Sequence, residues 1–413
     1  MPQPKTVALL LCAAACFILS FALDEQPRPA TELNLAQADT IRVQLFADAP
    51  PGAIRLYALE SAVTLHLDDT TLTIEPDQPP AEISVRDGQL HIIFGEETMQ
   101  TAHLRAGSEG DPLRLFTGTH RYRLYRGEIA ATPHSRDGTL QVINHVPLEE
   151  YVASVVGSEM NFTTLEALKA QAVVARTYAL WSVAISPYEF FDVKDTEASQ
   201  VYIGEIPLKP WYRDAALATH GEILTWSERL VLSVFSSTCG GHTSNNEDVW
   251  SGDPLPYLRG VDDGGACSIS PHFTWEFELT GQHLHQLLLD NYGFRYRTVE
   301  KDQDRAGRIR SLTFRDTNGR TLKFQGHEFR ALINRKFGPL SVRSTRFRWA
   351  DSHAGTVRLE GNGLGHGVGL CQWGAKGFAL DGWNYRDILS FYFSGTKTVD
   401  FHSLQNQTIA LQR

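Results

Sequence analysis

The chain has 413 residues, of which 42% are hydrophobic and 21% charged, with 33 glycines and 19 prolines. At about 150 residues per domain this length predicts two or three packing units, and the composition excludes a disordered, collagen-like or coiled-coil protein. Lys and Arg total 38 against 48 Asp and Glu, a formal charge of -10, which argues against nucleic acid as a partner.

At the N-terminus, Val7 to Leu23 carries no charge after Lys5 and reads as the apolar core of an export signal. This places the protein in the periplasm or cell envelope, outside the cytoplasmic membrane. Ser20-Phe21-Ala22 predicts cleavage after Ala22, and the length of the run leaves an uncleaved N-terminal membrane anchor open. Residues 1–23 are thus signal or anchor, and polar residues 24–40, with Pro27 and Pro29, a tether.

A β-rich module follows over 41–125. Its apolar residues alternate, as in Ile41-Arg-Val43-Gln-Leu45, and Pro50-Pro51, Pro79-Pro80 and Asp87-Gly88 interrupt them, the pattern of short strands joined by turns. The main domain spans 126–400, before a C-terminal tail at 401–413. Within it the period changes at Pro147. Leu148, Tyr151, Val152, Val155 and Val156 fall at helical spacing, with Glu149 and Glu150 near the positive end. One more turn carries this apolar stripe to Glu159, aiming a carboxyl at the protein rather than at water. A second helix, Leu165 to about Val183, has alanines at 167, 170, 172, 175 and 179 for close packing, with Arg176 on or beside that face. Strands are expected at 200–202, 222–226, 231–235, 308–315 and 321–325, and helices at 281–290, 326–336 and 383–393. Strands and helices do not alternate regularly, so the fold class is mixed α+β, with amphipathic helices around β-sheet, rather than a doubly wound parallel sheet.

Three segments bear on chemistry. Glu159 on an apolar stripe loses hydration, which raises its pKa toward the range of a general acid at neutral pH. Lytic glycosidic cleavage needs only this one carboxyl, because the sugar supplies its own hydroxyl as nucleophile. The structural alternative is an ion pair of Glu159 with Arg176. The glycine-dense run from Gly361 to Ala375 contains neither GxGxxG nor GxxxxGK[ST], so a phosphate-binding loop is excluded; His366 and Gln372 remain polar groups for a ligand or for a tight structural turn. The five cysteines include Cys12 and Cys16 in the export signal, which leaves Cys239, Cys267 and Cys371. Cys239 and Cys267 are read as a disulfide, and with His242 and His272 they also offer four zinc ligands; free thiols are the third reading. A catalytic metal on those four residues is disfavoured, since they would close the coordination sphere.

Along these residues the chain resembles the SpoIID/LytB family of sporulation proteins and amidase enhancers. The resemblance runs through Asn144 to Met160, Leu165 to Ala179, Ser236-Ser-Thr-Cys-Gly-Gly-His242 with Pro256-Tyr-Leu258, and Gly363 to Ala375, ending at Ile388 to Phe393. It covers about residues 120–400. It implies a SpoIID-like domain that binds peptidoglycan glycan strands and cleaves MurNAc-GlcNAc bonds of denuded strands to 1,6-anhydro products, with Glu159 as the acid. Under the same resemblance Arg176, Tyr202, Ser237, Tyr257, His366 and Gln372 are candidate substrate-binding residues. No redox or nucleotide cofactor is implied, and a cell-wall amidase is the candidate protein partner, since the alternative role is that of a non-catalytic glycan-binding enhancer. Two residues depart from the family pattern: Asn161 stands where Pro is common, and Ser199 where some relatives carry Cys.

Overall fold

The computed structural model describes residues 32–34, 38–118, 122–134, 138–205, 209–250, 252–351, 355–404 and 408–411. The export signal with Cys12 and Cys16, and much of the tether, lie outside them. No helix among the described residues is long and apolar enough to cross a membrane. The architecture is mixed α+β.

Period-2 patterning builds two sheets in the first half of the chain. In Thr40–Leu45, for instance, Ile41, Val43 and Leu45 are buried and the residues between them are not, as expected of a sheet with one face on the core. A six-stranded sheet is made by strands between Ala53–Tyr57 and Tyr122–Tyr125. A seven-stranded sheet crosses the boundary expected at residue 125. Its strand Leu140–Pro147 pairs antiparallel with Thr40–Leu45, register Val142↔Leu45 to Pro147↔Thr40, and Val193–Lys194 adds in parallel to the other edge of Thr40–Leu45. One hydrophobic core therefore runs from the N-terminal strands into the helices of the main domain.

Leu140–Pro147 feeds directly into helix α1, Leu148–Glu159, which buries the apolar residues expected from its periodicity. Helix α2, Leu165–Ile185, buries all five alanines of its inward face. Small residues there let α2 pack closely on α1, on the strand Glu222–Trp226 and on the helix Gln372–Leu380. Arg176, fully buried on α2, joins the two helices: its Nε and Nη2 donate to the two carboxylate oxygens of Glu149 at 2.7 and 2.5 Å. The same guanidinium donates to the carbonyls of Glu222 and Ala216.

A second core, containing Trp275, Phe314, Phe329 and Leu359, lies wholly within residues 274–362. Its helices Gly281–Tyr292 and Gly326–Phe337 and strands Ile309–Arg315 and Thr321–Gln325 match the expected elements within two residues. Strand Thr274–Thr280 pairs with Thr356–Asn362, Thr274 opposite Asn362, so this insert leaves and rejoins the main domain at one place. At the end of the chain, Thr408–Ala410 pairs with Glu32–Asn34, and Phe401, Ile409 and Leu411 of the expected tail are buried in the main core.

Arg176→Met strands the Glu149 carboxylate and is expected to cost about 3 kcal/mol of stability. Denaturant unfolding measures this, and Arg176→Lys is expected to restore only part, because Lys cannot reproduce the two-pronged contact.

Candidate active site

Glu159 is the last residue of α1. It faces a recess lined also by Tyr178 of α2, Glu197 and Ser199 of the following loop, Val234 to Ser237, His366 and Gln372. The recess is small, about 20 Å³, room for roughly one water, and it is open to solvent. A space of that size does not admit a sugar ring.

The walls are brought together by a short parallel pairing of Phe235–Ser236 with Leu370–Cys371. The glycines of the 361–375 run permit this approach. Gly369 has φ +70°, and a Cβ there would lie 2.1 Å from the Val234 carbonyl oxygen; at Gly367, φ +73°, it would lie 2.0 Å from the Arg308 guanidinium. Only glycine meets both demands, a left-handed backbone and a neighbour so close that no Cβ fits.

Burial pushes the Glu159 carboxyl up to about 7, and the nearby Glu197 carboxylate acts in the same direction. Hydrogen bonds from the Val201 amide, 2.9 Å to Oε1, and from the Gln372 side chain oppose the shift without cancelling it. Its place at the negative end of the α1 dipole further disfavours the carboxylate. Gln372 is itself steadied by Gln171 of α2, to whose Oε1 it donates at 3.4 Å. This arrangement holds a protonated carboxyl near neutral pH, as a general acid requires.

Four sequence-predicted residues meet here: Glu159, Ser237, His366 and Gln372. His366, however, has both ring nitrogens engaged by the backbone: Nε2 donates to the Phe235 carbonyl at 2.7 Å, and Nδ1 accepts from the Val368 amide at 3.1 Å. Burial drives its pKa down to about 3, so the ring is neutral and braces the wall. The other three expected groove residues are corrected by the structure. Arg176 pairs with Glu149, neither in the recess nor with Glu159. Tyr202 is buried, donates to Asn144 Oδ1 at 2.6 Å and stacks on Tyr151. Tyr257 is buried with its hydroxyl accepting from the Leu232 amide. Each has spent its polar tip on the fold.

The cysteine expectations also change. Cys239, Cys267 and Cys371 are free and buried, with 3.6 Å between the sulfurs of Cys239 and Cys267 where a disulfide requires about 2.05 Å. His242 and His272 do not join them: His242 Nδ1 lies 2.5 Å from the Thr243 carbonyl oxygen, and His272 lies beside Arg343. Sequence reasoning missed Glu197 and Tyr178, and named Ser199 only as a departure from the family pattern. Glu197 and Ser199 sit in the aperiodic stretch Lys194 to Gln200, which carries no spacing signal; Tyr178 lies within a helix assigned to packing.

The family model described as SpoIID, stage II sporulation protein, matches residues 136–226. Stage II sporulation protein D of Bacillus subtilis is 31% identical over 293 residues, covering 65% of this chain and 79% of that protein. The chain belongs to the SpoIID family. The chain is also similar to an uncharacterized protein of Brachyspira hyodysenteriae, 32% identical over 68% of this chain and 74% of that protein, and to the amidase enhancer of Bacillus subtilis, 28% identical over 60% of this chain and 40% of that protein. The SpoIID model spans both helices that carry Glu159 and Arg176, and ends before the cysteine and glycine loops.

Because the folded protein holds the Glu159 proton up to about pH 7 and the unfolded chain releases it near the ordinary value of 4.5, stability at this site falls as pH rises between those values. Glu159→Gln removes the penalty. The variant is expected to be more stable than the parent at pH 8, by about 1–3 kcal/mol, with the gap closing as pH falls toward 4.5; denaturant titrations across that range measure it.

Proposed function

We propose that this protein is an extracytoplasmic cell-wall enzyme, a peptidoglycan lytic transglycosylase acting on glycan strands freed of their stem peptides. One observation carries the reading: a single carboxyl with a pKa of about 7 at the base of a recess too narrow for a sugar but open to one atom of a strand. Membership of a family that includes a sporulation protein and an amidase enhancer supports a cell-wall role.

In this reading protonated Glu159 donates to the glycosidic oxygen as the bond from the MurNAc C1 to that oxygen breaks. The resulting carboxylate takes the proton of the MurNAc O6 hydroxyl, whose oxygen bonds C1 and closes a 1,6-anhydro ring. No water is consumed, and Glu159 ends as it began. Ser236, Ser237 and Gln372, which line the recess, are polar groups available to orient the strand, and the exposed Glu197 adds its repulsion to the burial that keeps the acid protonated.

Incubation of the protein with stem-free glycan strands, followed by mass spectrometry, is expected to yield anhydro-ended fragments, and Glu159→Gln to yield none. If both forms bind strands and neither cuts them, the lytic reading fails, and stimulation of a cell-wall amidase becomes the function to measure.

The pH profile has a worked sign. Glu159 must start protonated and becomes the base only after donating, so the rate is flat below about pH 7 and falls about tenfold per unit above it. Glu197→Gln removes the carboxylate that raises the Glu159 pKa, so its alkaline fall is expected to begin at lower pH, with the low-pH plateau retained.

A further inference from the structure

Cys239, Cys267, Cys371 and Asp263 form a buried cluster in which one ligand atom of each lies within 4.8 Å of all the others. Cys239 Sγ is 3.6 Å from Cys267 Sγ and 3.2 Å from Asp263 Oδ2. A tetrahedral zinc ion, with bonds of about 2.3 Å to sulfur and about 2.0 Å to oxygen, requires sulfur-to-sulfur edges of about 3.8 Å and sulfur-to-oxygen edges of about 3.5 Å. These two edges lie just below those values, and since no edge exceeds 4.8 Å none needs to contract by more than about 1.3 Å to reach them.

Further observations mark the cluster as built for an ion. Cys371 Sγ accepts from two backbone amides, Cys239 at 3.1 Å and Gly374 at 3.3 Å, at the start of the helix Gln372–Leu380; two N–H donors on one sulfur suit a thiolate ligand. The Tyr392 hydroxyl is buried and has no hydrogen-bond partner among the described residues. Gly374 locates it: a Cβ there would meet this hydroxyl at 2.0 Å and Asp263 Oδ2 at 3.2 Å. Arg308, fully buried, donates to the Cys239 carbonyl at 2.6 Å and makes no ion pair among the described residues. Three thiolates and a carboxylate around a divalent cation leave a net negative charge that this guanidinium partly offsets.

We propose that Cys239, Cys267, Cys371 and Asp263 bind one zinc ion in a closed, four-coordinate structural site. Binding releases the three thiol protons to solvent. The ion ties the loop that follows Phe235–Ser236 to the helix that begins at Gln372, and so fixes two walls of the Glu159 recess without touching substrate. A sphere filled by four protein ligands has no open position for catalysis, and the proposal stands whether or not the lytic reading does. The rival occupant is a disulfide between Cys239 and Cys267, which would leave Cys371 and Asp263 buried beside it.

The test is metal and thiol analysis of the full chain, produced with zinc in the medium and purified without chelator. The expected result is about one zinc per chain, with the thiols of Cys239, Cys267 and Cys371, counted apart from Cys12 and Cys16 where residues 1–23 are retained, reacting with a thiol reagent in the folded protein only after a chelator has removed the ion. Cobalt exchanged for zinc is expected to show sulfur-to-metal charge-transfer absorption and tetrahedral d–d bands. Cys371→Ser is expected to lose the ion, and His242→Ala, outside the cluster, to keep it. A zinc-free chain with a Cys239–Cys267 disulfide overturns the proposal, as does full zinc retention in Cys371→Ser. Should Cys371→Ser fail to fold, the zinc and thiol content of the unaltered chain decides alone.

Discussion

Two residues of parallel strand, Phe235–Ser236 against Leu370–Cys371, hold together the parts of the chain that matter most. On one side of this pairing lie Ser236, Ser237 and Gln372, which wall in Glu159; on the other, Cys239 and Cys371 enter the buried cluster. So short a ladder has little stability of its own, and it is kept by what surrounds it: glycines that admit direct backbone contact, a neutral His366 bonded at both nitrogens, and Arg308 reaching in from the insert. The acidity of Glu159 is thus a property of distant segments as much as of its own helix, because desolvation, the largest cause of its shift, comes from those walls.

The sequence made α1 and its carboxyl legible, since a helical stripe states which residues point inward and Glu159 lies on that stripe. It made Arg176 legible as inward-facing too, but not its partner. Glu149 read as an ordinary acidic residue of a first helical turn, whereas in the fold it receives both prongs of the guanidinium. Periodicity gives direction; it does not give the opposing surface. Tyr202 and Tyr257 show the same limit, since a buried aromatic with a polar tip reads alike whether the tip meets a ligand or, as here, Asn144 and the Leu232 amide.

Contacts between aperiodic loops were the least legible. Glu197 and Ser199 reach the recess through tertiary placement alone. The cysteines illustrate how chain spacing misleads: His242 and His272 stand close to Cys239 and Cys267 in sequence, yet the strand pairing supplies Cys371 from much farther along. Two helices and two strands of the insert were legible in the sequence; its other strands, Thr274–Thr280, Thr298–Gln303, Phe347–Asp351 and Thr356–Asn362, were not, and its having a core of its own depends on which apolar faces meet, which no linker composition announces.

That insert closes on itself, with Thr274 opposite Asn362. Once folded, it brings the chain back to where it departed, and the segment separating Phe235–Ser236 from Leu370–Cys371 behaves as a much shorter loop, with a lower entropic cost of closure. A folded insert therefore lowers the cost of bringing the two strands together, and with it the cost of closing the walls that desolvate Glu159. A substitution deep in the insert, far from any sugar, thereby sets how often the recess is whole, and so acts as a remote dial on the acid.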